Sequence, residues 1–285
     1  MKKFFIIFII VFTAVIFLDS NIALCREKIF LSRQDRKSVP VMVYSPGKNT
    51  CRGIAIISPG AGGSERGYSY LGDAMSTQGY LTVVVGHQES GLQVLRQKII
   101  ASGLRQGLYK LITDPEAYKG RFMDIAAARQ WAQPRCNANE AILIGHSMGA
   151  ATTMIEAGAK NILGVNGSNA FDAYIALSPQ GVGSIFPPNA WQEISKPVLS
   201  ITGTKDHELG GVSWKTRLDP FNNMSSGCKW LGVIDGATHM NFAGTGVSAQ
   251  TKNLTVKTIQ AFLSGIHQHN CKPPKPEKGI EIKVK

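Results

Sequence analysis

Apolar residues along this chain fall into short unbroken runs, and stretches with helical spacing separate them. Gly53-Ile54-Ala55-Ile56-Ile57, Leu81-Thr82-Val83-Val84-Val85, Ala141-Ile142-Leu143-Ile144, Tyr174 to Leu177, Val198 to Thr202 and Trp230 to Ile234 are such runs. Because they are continuous rather than alternating, they predict strands buried on both faces. Ser69 to Gln78 predicts a short helix, and residues 92–133 carry helical spacing interrupted near Asp114-Pro115. Within that stretch Met123 to Trp131 predicts the helix that precedes the Ala141 run, and Val247 to His267 predicts a closing helix. Ahead of the first buried run, Lys28 to Tyr44 predicts two strands joined by the polar turn Arg33-Gln34-Asp35-Arg36-Lys37. Strands alternating with helices predict an α/β domain, a mostly parallel sheet with helices on both faces. Sites in such sheets form at the carboxyl ends of the strands.

The first residues change the picture of where the chain works. Lys2 and Lys3 precede an apolar run from Phe4 to Leu18, the pattern of a secretory signal peptide and short for a membrane span. Ala23-Leu24-Cys25 allows cleavage after Cys25 or after Ala23; a lipid-anchored Cys25 is disfavoured by Leu24, where a small residue is wanted. Residues 1–25 are therefore expected to be a leader, 26–271 one domain, and the basic, proline-containing 272–285 an extended, mobile tail. The reading is of an exported protein, periplasmic or secreted. Cys51, Cys136, Cys228 and Cys271 remain after the leader, an even count that suggests two disulfides in an exported chain. Three pairings exist, and the topology favours Cys51–Cys136, before two neighbouring strands, and Cys228–Cys271, before the last strand and after the last helix. The formal charge of +12 raises the question of nucleic acid. No binding motif accompanies the charge and the cations are scattered, so a solvated basic surface is expected, with weak attraction to an anionic envelope at most.

Candidate chemistry centres on Gly145-His146-Ser147-Met148-Gly149, directly after the Ala141 strand and opening into Ala150-Ala151. A serine on a strand-to-helix turn stands clear of the sheet at the positive end of a helix dipole. It becomes a nucleophile only with a base, and the base needs an orienting carboxylate. His239 follows the last parallel strand at its carboxyl end and is the expected base. His146 projects away from the serine, and His267 and His269 lie at the opposite pole. His207 adjoins the acid, and His87 is expected to line the pocket. Asp206 follows the Val198 strand through Gly203-Thr204-Lys205 and is the expected acid; Asp219 and Glu208 are weaker alternatives. Asp172 lies at the wrong end of its strand, and Asp235 is too close to His239 in sequence. The backbone amides of Met148 and Ala61, the latter in Ser58-Pro59-Gly60-Ala61-Gly62, are the expected oxyanion donors. Trp191 and Trp214 are expected near the mouth of a substrate pocket, with residues 87–122 forming its rim or packing on the core.

Ser147, Asp206 and His239 occur in the chain order of the α/β-hydrolase relay. Together with Val39-Pro40-Val41-Met42-Val43-Tyr44, the Pro59 loop, Gly203-Thr204-Lys205-Asp206 and Gly236-Ala237-Thr238-His239, they make the chain resemble bacterial α/β-hydrolases. The similarity is to dienelactone-hydrolase-like, platelet-activating-factor-acetylhydrolase-like and cutinase-like esterases. The resemblance implies an eight-stranded sheet and ester hydrolysis through an acyl-serine, with no metal and no cofactor. The expected protein is a monomer acting on a small-molecule ester of small or medium acyl chain, with a lipid or polyester substrate as the alternative. Ser147 stands where dienelactone hydrolases proper use cysteine, so their substrate does not carry over. A catalytically silent binding protein on the same fold is the rival from another class.

Overall fold

The structure is a computed structural model that describes residues 26–47, 51–137, 139–208, 210–244 and 248–285. The expected leader, with Cys25, lies outside the described residues. Nine strands form one sheet in the order β1-β2-β4-β3-β5-β6-β7-β8-β9. They are β1 (Arg26–Ser32), β2 (Ser38–Tyr44), β3 (Gly53–Ser58), β4 (Tyr80–Val85), β5 (Ala141–His146), β6 (Ala173–Leu177), β7 (Val198–Lys205), β8 (Lys229–Thr238) and β9 (Ile280–Val284). β4, β3, β5, β6, β7 and β8 run parallel, and antiparallel strands close both edges. Every residue of β3, β4, β5 and β6 is buried, which is why these strands read as continuous apolar runs.

Helices cover both faces. α1 (Ser69–Thr77) and α7 (Ala249–His267) pack Leu71, Met75, Leu254 and Phe262 on one side. α4 (Pro115–Ala132) and α5 (Met148–Glu156) pack Ile125, Ala128, Met154 and Ile155 on the other. α2 (Leu92–Ser102) and α3 (Leu104–Ile112) form a hairpin outside this layer, and α6 (Asp219–Asn223) is a short turn before β8. The chain passes from β3 through α1 to β4, then crosses to β5 on the opposite side of β3. The strand order reverses between β3 and β5, and the crevice at their carboxyl ends is where such sheets bind ligands.

Two expectations need correction. The expected interruption near Asp114-Pro115 is present between α3, which ends at Ile112, and α4, and it starts the second helix: the Asp114 side chain accepts from the Glu116 amide, and Pro115 occupies the first turn, where its missing N–H costs nothing. α4 therefore spans far more than Met123 to Trp131, and a second break lies at Gly103, whose φ of 80° ends α2. The sheet also has nine strands rather than eight, because the end of the expected mobile tail is β9. Ile280, Ile282 and Val284 alternate with Glu281 and Lys283, and this period-two pattern pairs antiparallel with β8, covering an otherwise open edge. Both expected disulfides are present, with Cα–Cα distances of 5.5 Å for Cys51–Cys136 and 5.3 Å for Cys228–Cys271. The first ties the entrances of the neighbouring strands β3 and β5.

Candidate active site

Ser147 caps α5 with φ 55° and ψ −117°, a strained conformation for a residue with a side chain. The flanking glycines make the turn feasible. A Cβ on Gly145 would lie 2.0 Å from the Gly149 carbonyl oxygen, and one on Gly149 would lie 2.0 Å from that of Ser58. The helix thus sits directly on the strand ends, and Gly-x-Ser-x-Gly is a packing requirement as much as a chemical one.

His239 stands at the end of β8 in a turn fixed by a Thr238–Asn241 capping box. Its Nε2 lies 2.9 Å from Ser147 Oγ and its Nδ1 lies 2.9 Å from Asp206 Oδ1. Asp206 is fully buried, follows a register shift between β7 and β8, and accepts from Thr202 Oγ1 at 2.9 Å. The serine hydroxyl can therefore donate to Nε2 while Nδ1–H donates to the carboxylate. The amide of Met148, first in its helix, has no intrahelical acceptor. Ala61 lies on the loop after β3, and its amide donates to no other described residue.

A cleft of about 840 Å³ opens beside Ser147 and His239, bounded by Arg105 and Tyr109 of α3, Val182 after β6 and His207 after β7. None of the three expected pocket residues lines it. Trp191 is fully buried and packs on Phe186 with ring centroids 5.1 Å apart; a large apolar ring between strand and helix is worth more in the core than at a mouth. Trp214 packs on the same core cluster. His87 is buried behind the Pro59 loop, where Nδ1 meets Asp124 Oδ2 and Nε2 meets Ser58 Oγ, each at 2.9 Å. Burial lowers its pKa to about 4. The expected rim is divided: Leu108, Tyr109 and Ile112 face the cleft, whereas Leu111 is core.

The competing residues have other partners. Glu208 accepts from the Gly181 amide and Thr216, and Asp219 from the Val182 amide, so both brace the cleft wall. Asp172 accepts from the Ala141 amide, Asp235 accepts from Thr204, and His267 pairs with Glu140 at the opposite pole. His146 bonds Tyr68 through Nδ1 (2.9 Å) and the His239 carbonyl through Nε2 (3.1 Å). Burial, then the neighbouring His239, hold it well below the usual histidine range. Sequence reading missed Arg217. Its Nε lies 2.8 Å from Asp206 Oδ1 and 2.7 Å from the Asp206 carbonyl oxygen, while Nη1 donates to the Ser178 and Pro179 carbonyls. Its position after Trp214 in a surface-like basic stretch carries no signal of this, since nothing local shows the side chain turning in to Asp206 and to the Ser178 and Pro179 carbonyls of another loop.

No protein-family model matches the sequence. Two cutinases of Thermobifida alba, est2 and est1, are 24% and 25% identical over 222 residues, 77% of this chain. The chain spans about three-fifths of the length of these curated relatives, 60% and 61%. Among solved structures, dienelactone hydrolase from Anabaena variabilis superposes with a TM-score of 0.59 at 15% identity, covering 86% of this chain and 98% of that one. A cold-adapted esterase from an Arctic intertidal metagenomic library gives 0.57 at 14% identity, covering 81% and 93%. An alpha-beta serine hydrolase homologue from Coxiella burnetii gives 0.54 at 19%, covering 81% and 96%. Sheet order, elbow and these likenesses together make this chain a member of the α/β-hydrolase fold.

Proposed function

We propose that this chain is an exported serine hydrolase that cleaves carboxylic esters of small or medium acyl chain through an acyl-serine intermediate. The observation that carries the reading is the continuous chain from Ser147 to His239 to Asp206, two contacts of 2.9 Å that end at an open cleft. His239 takes the serine proton as Oγ attacks the ester carbonyl, and Asp206 stabilises the imidazolium. The amides of Met148 and Ala61 receive the developing oxyanion, each such donor being worth about 3 kcal/mol. His239 then protonates the leaving alcohol, and water repeats the sequence to free the acid. The leader-like first residues and two disulfides support export.

A second reading, hydrolysis of esters held in a lipid or polymer surface, is favoured by one feature of the mouth. Tyr109, Val182 and Val212 are exposed apolar residues at its rim, beside Arg105. The test is turnover of p-nitrophenyl acetate and octanoate, monomeric and dispersed, by the mature protein and its Ser147→Ala variant, with a fluorophosphonate probe. Ser147-dependent turnover and labelling support the esterase, and a preference for dispersed octanoate supports the second reading. A folded protein with neither activity nor labelling makes it a binding protein.

A further inference from the structure

The floor beneath the Pro59 loop is a buried polar network that the relay does not use. Arg121 of α4 is 1% exposed and faces no carboxylate directly. Its Nη1 donates to the Pro59 carbonyl at 2.8 Å and to Ser58 Oγ at 3.2 Å, its Nε to Ser90 Oγ at 2.9 Å, and its Nη2 approaches the Gly60 carbonyl at 3.4 Å. Behind it, His87 joins Ser58 to Asp124, and Arg33 anchors Asp124 at 3.0 Å. The proton positions follow from the partners. His87 is neutral, so its Nδ1–H donates to the acceptor-only Asp124 carboxylate and its Nε2 accepts from the Ser58 hydroxyl, whose oxygen accepts in turn from Arg121.

The consequence lies in peptide geometry. In a trans peptide the C=O and N–H point in opposite directions. Where the Pro59 carbonyl turns down to Arg121, the Gly60 amide turns away and donates to Tyr68 Oη at 3.0 Å. Where the Gly60 carbonyl turns down to Arg121 and to the Gly63 amide (3.0 Å), the Ala61 amide is turned away from the floor. Gly60 lies against the elbow: a Cβ on it would stand 3.3 Å from Ser147 Cβ.

We infer that Arg121, backed by Ser58, His87 and Asp124, is the positioning residue of the oxyanion loop, holding two carbonyls down so that the Ala61 amide faces the reacting carbonyl above Ser147. This rests on the serine-hydrolase reading. Burial lowers the Arg121 pKa only to about 10, so the guanidinium stays charged at neutral pH. A lysine at 121 would keep the charge but could not span both carbonyls and both hydroxyls with its three donors.

The test is steady-state kinetics of wild type, Arg121→Lys and Arg121→Met on a soluble p-nitrophenyl ester, with inhibition by a trifluoromethyl ketone that forms a tetrahedral adduct. For Arg121→Met the expected loss in kcat is on the order of 10–100-fold, less than that of deleting an oxyanion donor outright, with KM nearly unchanged. Inhibitor affinity should fall in parallel with kcat, and Arg121→Lys should recover part of both. Unchanged kcat in a folded Arg121→Met protein, or a loss confined to KM, overturns the assignment. If Arg121→Met does not fold, Ser58→Ala and Ser90→Ala decide: parallel few-fold losses in kcat and inhibitor affinity support it, and none in either overturns it. Absence of Ser147-dependent turnover in wild type would instead overturn the hydrolase reading.

Discussion

Two Ser–His–Asp constellations sit on opposite sides of one loop. Ser147, His239 and Asp206 face the cleft, and Ser58, His87 and Asp124 lie beneath the Pro59 loop. Both have hydrogen-bond distances of 2.9 Å at both links. They differ in everything else. The His239 side chain is 31% exposed, whereas that of His87 is 1% exposed. Ser147 sits on a strained turn at the start of a helix, with the Met148 amide beside it; Ser58 ends a buried strand and accepts a hydrogen bond from Arg121. A nucleophile needs room for a carbonyl and donors for its oxyanion, and only the first constellation has both. Three residue types at bonding distance are thus insufficient evidence of catalysis. In the assignment proposed above, the second set holds the loop between them.

The sharpest way to break this comparison is to remove each serine. Ser147→Ala should cost about a million-fold in kcat. Ser58→Ala should stay within about tenfold of wild type, the scale of one hydrogen bond, and remain labelled by a fluorophosphonate. Labelling at Ser58 would sink the assignment.

The acids should separate next. Asp206→Asn should lower kcat about 10⁴-fold by leaving His239 in the wrong tautomer. Asp124→Asn should act on stability, costing about 1–3 kcal/mol in urea unfolding, because His87 and Arg33 each lose a buried carboxylate partner while Arg33 keeps Asp35 and Glu89. A reversal of these two phenotypes would exchange the roles of the sites.

Protonation gives a third contrast. The unfolded chain charges His87 near pH 6.5, whereas the fold keeps it neutral down to about 4. Between these values the unfolded state binds more protons, so stability should fall as pH drops through that window, by up to about 3 kcal/mol from this residue. Burial of His146 adds a contribution of the same sign. Urea midpoints at pH 4.5 and 7 measure it, and His87→Gln should flatten the slope.

The smallest effect concerns the bridge between the two regions. Tyr68 Oη accepts from the Gly60 amide and donates to His146, whose Nε2–H holds the His239 carbonyl. Tyr68→Phe leaves two buried polar groups unpaired, so about 1–3 kcal/mol of stability should be lost, with a less than tenfold change in kcat. Calorimetry and initial rates would show it.

Much of the molecule was legible from local pattern. Continuous apolar runs identify strands covered on both faces, because each residue of such a strand must be apolar whichever way it points. Gly145, Ser147 and Gly149 are legible because the turn tolerates no side chain where helix and strand ends touch. The pairing Cys51–Cys136 follows from which strands neighbour each other, and Cys228–Cys271 from the return of the last helix to the start of the last parallel strand. The end of the chain was misjudged: lysines and prolines at 272–278 mask the alternation of Ile280, Ile282 and Val284, a pattern too short to weigh without the open edge of β8.

The pocket was least legible. Trp191, Trp214 and His87 all follow strands at the correct edge, yet a loop residue can turn into the core as readily as toward solvent, and chain position does not say which. Arg217 and Arg121 were invisible for the same reason. Each is one more cation in a basic chain until the fold turns it inward, one to Asp206 and the Ser178 and Pro179 carbonyls, the other to the Pro59 and Gly60 carbonyls. Periodicity and turn chemistry, which act over a few neighbouring residues, decide the strands, the elbow and the order of Ser147, Asp206 and His239. Which of two Ser–His–Asp sets meets solvent depends on packing among distant segments, and only the tertiary structure decides it.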